Sequence, residues 1–164
     1  MNRSTKDIVI AGLSIALVFA ATFINIHLPI GQGGLIHLGN VPLFLVAIIF
    51  GKKIGALAGA FGMGLFDLMG GWSPWAPATF IIVGCMGYVV GAIAEKKDNL
   101  GGYAIAIIVA CAIKVAGYYV AEALIYGNWV QPVMSIPGNL VQIGVAALIV
   151  LPTVGVLKKA MKNV

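Results

Sequence analysis

Three ionisable side chains sit inside long apolar stretches: Asp67, Lys114 and Glu122. Charge is expensive to hold in hydrocarbon, so such groups mark binding sites or ion paths by default. Lys114 lies about a dozen residues from either end of its apolar run, roughly 18 Å along a helix. A lysine stem cannot snorkel that far to water. Lys114, Tyr118 and Glu122 recur at four-residue spacing and therefore share one helical face. The charges at 114 and 122 are about 12 Å apart along the axis, too far to pair directly. Tyr118, water, another helix or a ligand must lie between them. The competing reading is a polar stripe that fixes helix packing.

Further polar groups gather near the same end. Ser135, Asn139 and Gln142 repeat at helical spacing after the connector Asn128–Pro132, and Asn139 follows Pro137-Gly138 near a helix start. Asp67 precedes Gly70-Gly71-Trp72-Ser73-Pro74-Trp75-Ala76-Pro77. Its two tryptophans either anchor in the interface or cover a flat aromatic ligand. His27 and His37 lie in an uncharged loop with no acid or cysteine spaced to complete a metal site. Cys85 and Cys111 are isolated in apolar runs and read as reduced packing residues. An outward-opening pocket with aromatic walls and a few hydrogen-bonding groups suits a small polar heterocycle. No HExxH, G-x-S-x-G or P-loop is present, and a lone intramembrane aspartate makes no acid dyad. The chain therefore reads as a non-enzyme with no catalytic residue, no metal and no cofactor. A stand-alone channel would need a repeated filter or a charged ring.

The elements that must carry these groups are legible from charge. The chain has 164 residues, is 61% hydrophobic and 9% charged, and has a mean hydropathy of +1.05, which leaves no room for a soluble catalytic domain. Cations cluster at Arg3 and Lys6, at Lys52 and Lys53, at Lys96 and Lys97, and at Lys158, Lys159 and Lys162. The connectors Ile26–Asn40, Gly70–Pro77 and Gly127–Pro132 carry no formal charge. Basic loops stay cytoplasmic, so this alternation predicts an all-α bundle of six transmembrane helices with both termini cytoplasmic. One integral-membrane domain spans residues 1–164, in the plasma membrane. Its net charge of +5 sits at helix ends, which orients the chain against lipid and argues against nucleic acid. The spans are expected at Ile8–Ile26, Val41–Phe50, Ile54–Met69, Ala78–Ala94, Tyr103–Tyr126 and from Met134–Pro137 to Leu157, with a kink at Pro152. The second is short enough to be tilted or re-entrant. Small residues recur every fourth position at Gly55 and Gly59, at Gly87 and Gly91, and at Gly12, Ala16 and Ala20. The first two sets suit internal packing. The helix-1 set equally suits docking a partner subunit.

Taken in order, several short motifs carry a resemblance: His37-Leu38-Gly39-Asn40; Asp67 with Gly71-Trp72 and Trp75-Ala76-Pro77-Ala78-Thr79; Gly117-Tyr118 with Glu122; and Pro137-Gly138-Asn139-Leu140-Val141-Gln142. This series resembles the substrate-binding (S) component of an energy-coupling factor (ECF) vitamin transporter, most closely the hydroxymethylpyrimidine, pyridoxine or riboflavin branch. The resemblance implies vitamin capture at the outer face. The site residues would be Glu122, Asn139, Tyr118, Lys114, Gln142, Asp67, Trp72, Trp75, His37 and Asn40. It implies docking through Gly12, Ala16 and Ala20 onto a transmembrane coupling subunit (EcfT), which carries two ATP-binding subunits (the EcfA pair). Relatives often have Asp where this chain has Asn40, which leaves the choice of vitamin open. The alternatives are a riboflavin-specific S component, a non-transporting membrane scaffold and a solitary facilitator.

Overall fold

The computed structural model describes residues 5–27 and 35–161. Six α-helices form the molecule: α1 (Thr5–Thr22), α2 (Asn40–Phe50), α3 (Lys52–Met69), α4 (Ala76–Lys96), α5 (Leu100–Tyr126) and α6 (Ile136–Met161). The expectation of an all-α chain needs one correction. The first connector holds two short antiparallel strands, β1 (Asn25–His27) and β2 (Leu35–His37), with Ile26 opposite Ile36. Helix α1 accordingly stops at Thr22 and not at Ile26. The Asn25 amide donates to the Thr22 and Phe23 carbonyls, satisfying acceptors a helix end leaves open. A 3₁₀ turn at Gln131–Ser135 leads into α6. Pro152 lies inside α6, which continues to Met161.

Four of these segments are long and apolar enough to cross a membrane: α1, α4, α5 and the 3₁₀ turn with α6. Helix α3 matches α1 in length but carries Lys52, Lys53 and Asp67. Helix α2, about 16 Å long, is the hub of the bundle. It touches α1, α3, α4 and α6, and Leu43, Phe44 and Ala47 are wholly buried there. Around it, Val83, Met86 and Val90 of α4 and Val150 and Val154 of α6 complete the core. Large apolar side chains such as Ile81, Ile108 and Leu148 point outward, as a lipid-facing surface requires and a soluble one avoids.

Helices α3 and α4 make the most extensive pair, and glycine is the reason. A Cβ on Gly55 would stand 2.7 Å from the Gly87 carbonyl oxygen, and one on Gly59 would stand 2.5 Å from that of Val83. The two backbones touch directly, as small residues permit in lipid. The stripe on α1 behaves differently. Gly12, Ala16 and Ala20 face outward, while Ser14, Val18 and Thr22 turn inward.

The basic clusters within the described residues meet at one end. Lys52 pairs with Glu95 at 2.8 Å, joining the start of α3 to the end of α4. Lys158 bonds Asp98 and lies over the Tyr103 ring, joining the end of α6 to the α4–α5 connector. Arg3 and Lys162 lie outside the described residues. The opposite end carries the uncharged connectors, including the β1–β2 hairpin, Gly70–Trp75 and Gly127–Ser135.

Candidate functional site

A cleft of about 500 Å³, its mouth included, lies toward the uncharged end. Helix α5 supplies its deep wall because its polar residues share one face. Lys114, only 2% exposed, donates to Gln142 Oε1 on α6 at 3.1 Å. The Asn40 amide donates to the same oxygen at 3.2 Å. The Lys114 ammonium also stands 5.4 Å from the centre of the Tyr118 ring, within cation–π range.

Each carboxylate in the cleft is held by a hydroxyl. Asp67 Oδ2 accepts from Thr79 Oγ1 at 2.5 Å, and Thr79 Oγ1 lies 3.0 Å from the Tyr118 hydroxyl. A threonine hydroxyl has one proton, so Tyr118 must donate to Thr79, which donates to Asp67. On the other side, Ser135 donates to Glu122 Oε2 at 2.5 Å, and the Trp75 indole is a second hydrogen-bonding neighbour of that carboxylate. The connectors on either side of the mouth are therefore both tied to Glu122. Trp72 and Trp75 meet edge to face with centroids 5.5 Å apart, and Trp75 continues onto Tyr126 at 6.0 Å.

His37 approaches from the hairpin. Its Nδ1 accepts the Gly39 amide at 3.2 Å, so the neutral ring carries its proton on Nε2. The residue keeps some exposed surface but sits deep among protein atoms. Burial, then the Lys114 charge, lowers its pKa to about 3, so the imidazole is neutral at physiological pH.

Nine of the ten expected site residues line this cleft: His37, Asp67, Trp72, Trp75, Lys114, Tyr118, Glu122, Asn139 and Gln142. Asn40 does not. It is fully buried behind Gln142, because it begins the central helix α2. The hydrogen bond of Lys114 runs sideways to α6. The pairing roles of Thr79 and Ser135 escaped the sequence reading. A hydroxyl four residues after Trp75, and another just before the Pro137-Gly138 helix start, were the available signals. Facing hydrogen-bonding groups under an aromatic cover can grip the edges and one face of a flat, polar ring.

The chain as a whole has counterparts among known proteins. The family model described as the S component of an ECF-type riboflavin transporter matches residues 2–159. The chain belongs to that family. It is 27% identical over 143 residues to the thiamine precursor transporter HmpT of Lactococcus lactis subsp. cremoris, covering 87% of this chain and 81% of that protein. Its fold superposes with a TM-score of 0.75 on ThiT from Listeria monocytogenes, at 18% identity over 94% of this chain and 98% of that one. The S component of a bacterial ECF transporter gives the same TM-score at 20% identity, with 98% of both chains covered. The chain is thus a transporter subunit of the S-component type, and its helices are those of a multi-pass membrane protein.

Proposed function

We propose that this S component captures a small B-vitamin-type heterocycle at the outer membrane face for ATP-driven ECF import, with hydroxymethylpyrimidine first and pyridoxine second. The observation that carries this reading is the cleft itself. It pairs a lysine and two amides with two carboxylates beneath a tryptophan pair, at the end remote from the basic clusters. An aminopyrimidine has ring-nitrogen acceptors beside an amino donor and matches such mixed walls. HmpT's name as a thiamine precursor transporter supports the same choice, since hydroxymethylpyrimidine is the pyrimidine half of thiamine. The riboflavin reading is favoured by the name of the matching family and is tested alongside.

The charge map supports six crossings with both termini in the cytoplasm. The outward face of Gly12, Ala16 and Ala20 supports docking on the coupling subunit (EcfT) and, through it, on the EcfA pair. A Cβ at Gly12 would meet nothing within 4 Å, so the stripe is open to a closely approaching helix. Ala16→Leu should then abolish uptake in cells while leaving ligand affinity of the isolated protein unchanged; equal loss of both would return the stripe to internal packing.

Native mass spectrometry of the purified protein, followed by calorimetry with hydroxymethylpyrimidine, pyridoxine and riboflavin, tests the substrate class. Glu122→Gln and Asn139→Ala should each weaken the bound vitamin about ten-fold or more, the cost of leaving one buried polar group unpaired. Binding of riboflavin alone would favour the second reading, and binding of none would reject vitamin capture.

A further inference from the structure

Asn40 has no surface on the cleft, yet it is wholly buried just behind it, and its Oδ1 has no hydrogen-bond partner among the described residues. Buried polar atoms are almost always paired, so an orphan calls for an explanation. Lys114 dictates how both neighbouring amides point. An ammonium only donates, so the Gln142 atom 3.1 Å from Lys114 Nζ is the carbonyl oxygen. The Asn40 atom 3.2 Å from that same oxygen must then be the amide nitrogen. That choice turns Asn40 Oδ1 to the side without a donor. The consequence falls on the cleft. Lys114 has no acceptor to offer, and the one acceptor of Gln142 is claimed twice. The acceptors that remain among the lining side chains, on Asp67, Tyr118, Glu122 and Asn139, lie nearer the connectors.

We infer that Asn40 is a specificity-determining positioning residue: it holds the Gln142 carbonyl on Lys114, which keeps the deep end of the cleft free of acceptors, so that the bound molecule must enter with an unprotonated ring nitrogen or oxygen foremost. This rests on the cleft being the capture site. Asn40→Asp replaces the donor with an acceptor at the same place. Gln142 then turns its NH2 to the new carboxylate, its carbonyl leaves Lys114, and the donor end is spoiled. Asn40→Leu removes the donor without adding an acceptor and only loosens the amide.

The test is calorimetry on the full chain in detergent at pH 7. The probes are hydroxymethylpyrimidine and its 4-oxo counterpart, which carries N–H where the amino form has the N3 lone pair, together with pyridoxine and riboflavin. With the tightest probe, Asn40→Asp should cost about ten-fold or more and Asn40→Leu about three-fold, while Asn40→Asp in a Gln142→Leu background should add less than about two-fold. The wild-type preference for the amino over the 4-oxo pyrimidine should fall toward parity in Asn40→Asp, a change that simple loosening would not produce. Equal loss with and without Gln142, or no loss in a variant that melts like wild type, would overturn the inference. Should Asn40→Asp not fold, Asn40→Leu in the two backgrounds carries the same decision. A wild type that binds pyridoxine or riboflavin but neither pyrimidine rejects the substrate class alone, and the cycle is decided with the vitamin that binds. A wild type that binds no probe rejects capture itself and this inference with it.

Discussion

The two ends of this bundle treat charge in opposite ways. At the basic end, Lys52 and Glu95 pair with side chains 36% and 41% exposed. Water solvates both partners there, and such pairs add little to stability. In the cleft that opens toward the other end, Lys114 is 2% exposed and hydrogen-bonds an amide, not a carboxylate. Among the described residues its ammonium is in no salt bridge. The first arrangement costs almost nothing and follows from where helices end. The second is costly, and packing alone would be served as well by an apolar side chain. Placement, more than charge, separates a residue that orients the chain from one that binds.

Replacing Lys114 with Met tests this contrast most severely. Methionine fills similar space without charge, and Gln142 Oε1 keeps its bond from Asn40, so no acceptor is orphaned. Melting temperature should stay level or rise, while calorimetric affinity for the captured heterocycle should fall about a hundred-fold. A variant that binds normally would make Lys114 a packing residue and erase the difference between the two ends.

Thr79→Val sharpens the same point with a smaller effect. The shape is kept, but Asp67 Oδ2 loses its donor and the Tyr118 hydroxyl its acceptor. Two half-buried groups go unpaired where the basic end would let water replace the loss. Chemical or thermal unfolding should show a decrease of about 1–3 kcal/mol. No change would mean that water already reaches this chain of hydroxyls.

Much of this was legible beforehand, for physical reasons. Lys114, Tyr118 and Glu122 had to share a face because helical spacing is local, and they do. The glycine stripes of α3 and α4 had to meet something, and they meet each other at Gly55 and Gly87. What escaped depends on contacts distant in sequence. Asn40 and Gln142 are 102 residues apart, and no periodicity links them. Asn40 therefore groups with the site residues in the sequence, with no sign there that it bonds Gln142 from behind the cleft. The end of α1 was misplaced for a local reason, since Phe23-Ile24-Asn25-Ile26 is as apolar as a helix continuation. Its β-branched residues favour a strand, and only Asn25, capping the carbonyls at Thr22 and Phe23, marks the boundary.

The smallest expected effect lies within the basic end itself and divides two residues that look like equal partners. Glu95 accepts from the Lys52 ammonium at 2.8 Å and also from the Lys52 backbone amide at 3.1 Å. That amide is one of the unpaired donors at the start of α3, where Gly51 turns the chain at φ +87° and offers no capping side chain. Glu95 is therefore the cap of a neighbouring helix as well as an ion-pair partner. Lys52→Ala removes only the solvated pair and should leave the melting temperature unchanged, at low salt and high. Glu95→Ala removes the cap too and should cost about 1 kcal/mol, the usual worth of an N-cap. Glu95→Gln, which can still accept the amide, should recover most of that loss. None of the three should alter vitamin affinity, because the cleft lies at the far end. Equal costs for Lys52→Ala and Glu95→Ala would show that the pair, not the cap, carries the interaction. A loss of affinity in either would show that the two ends communicate.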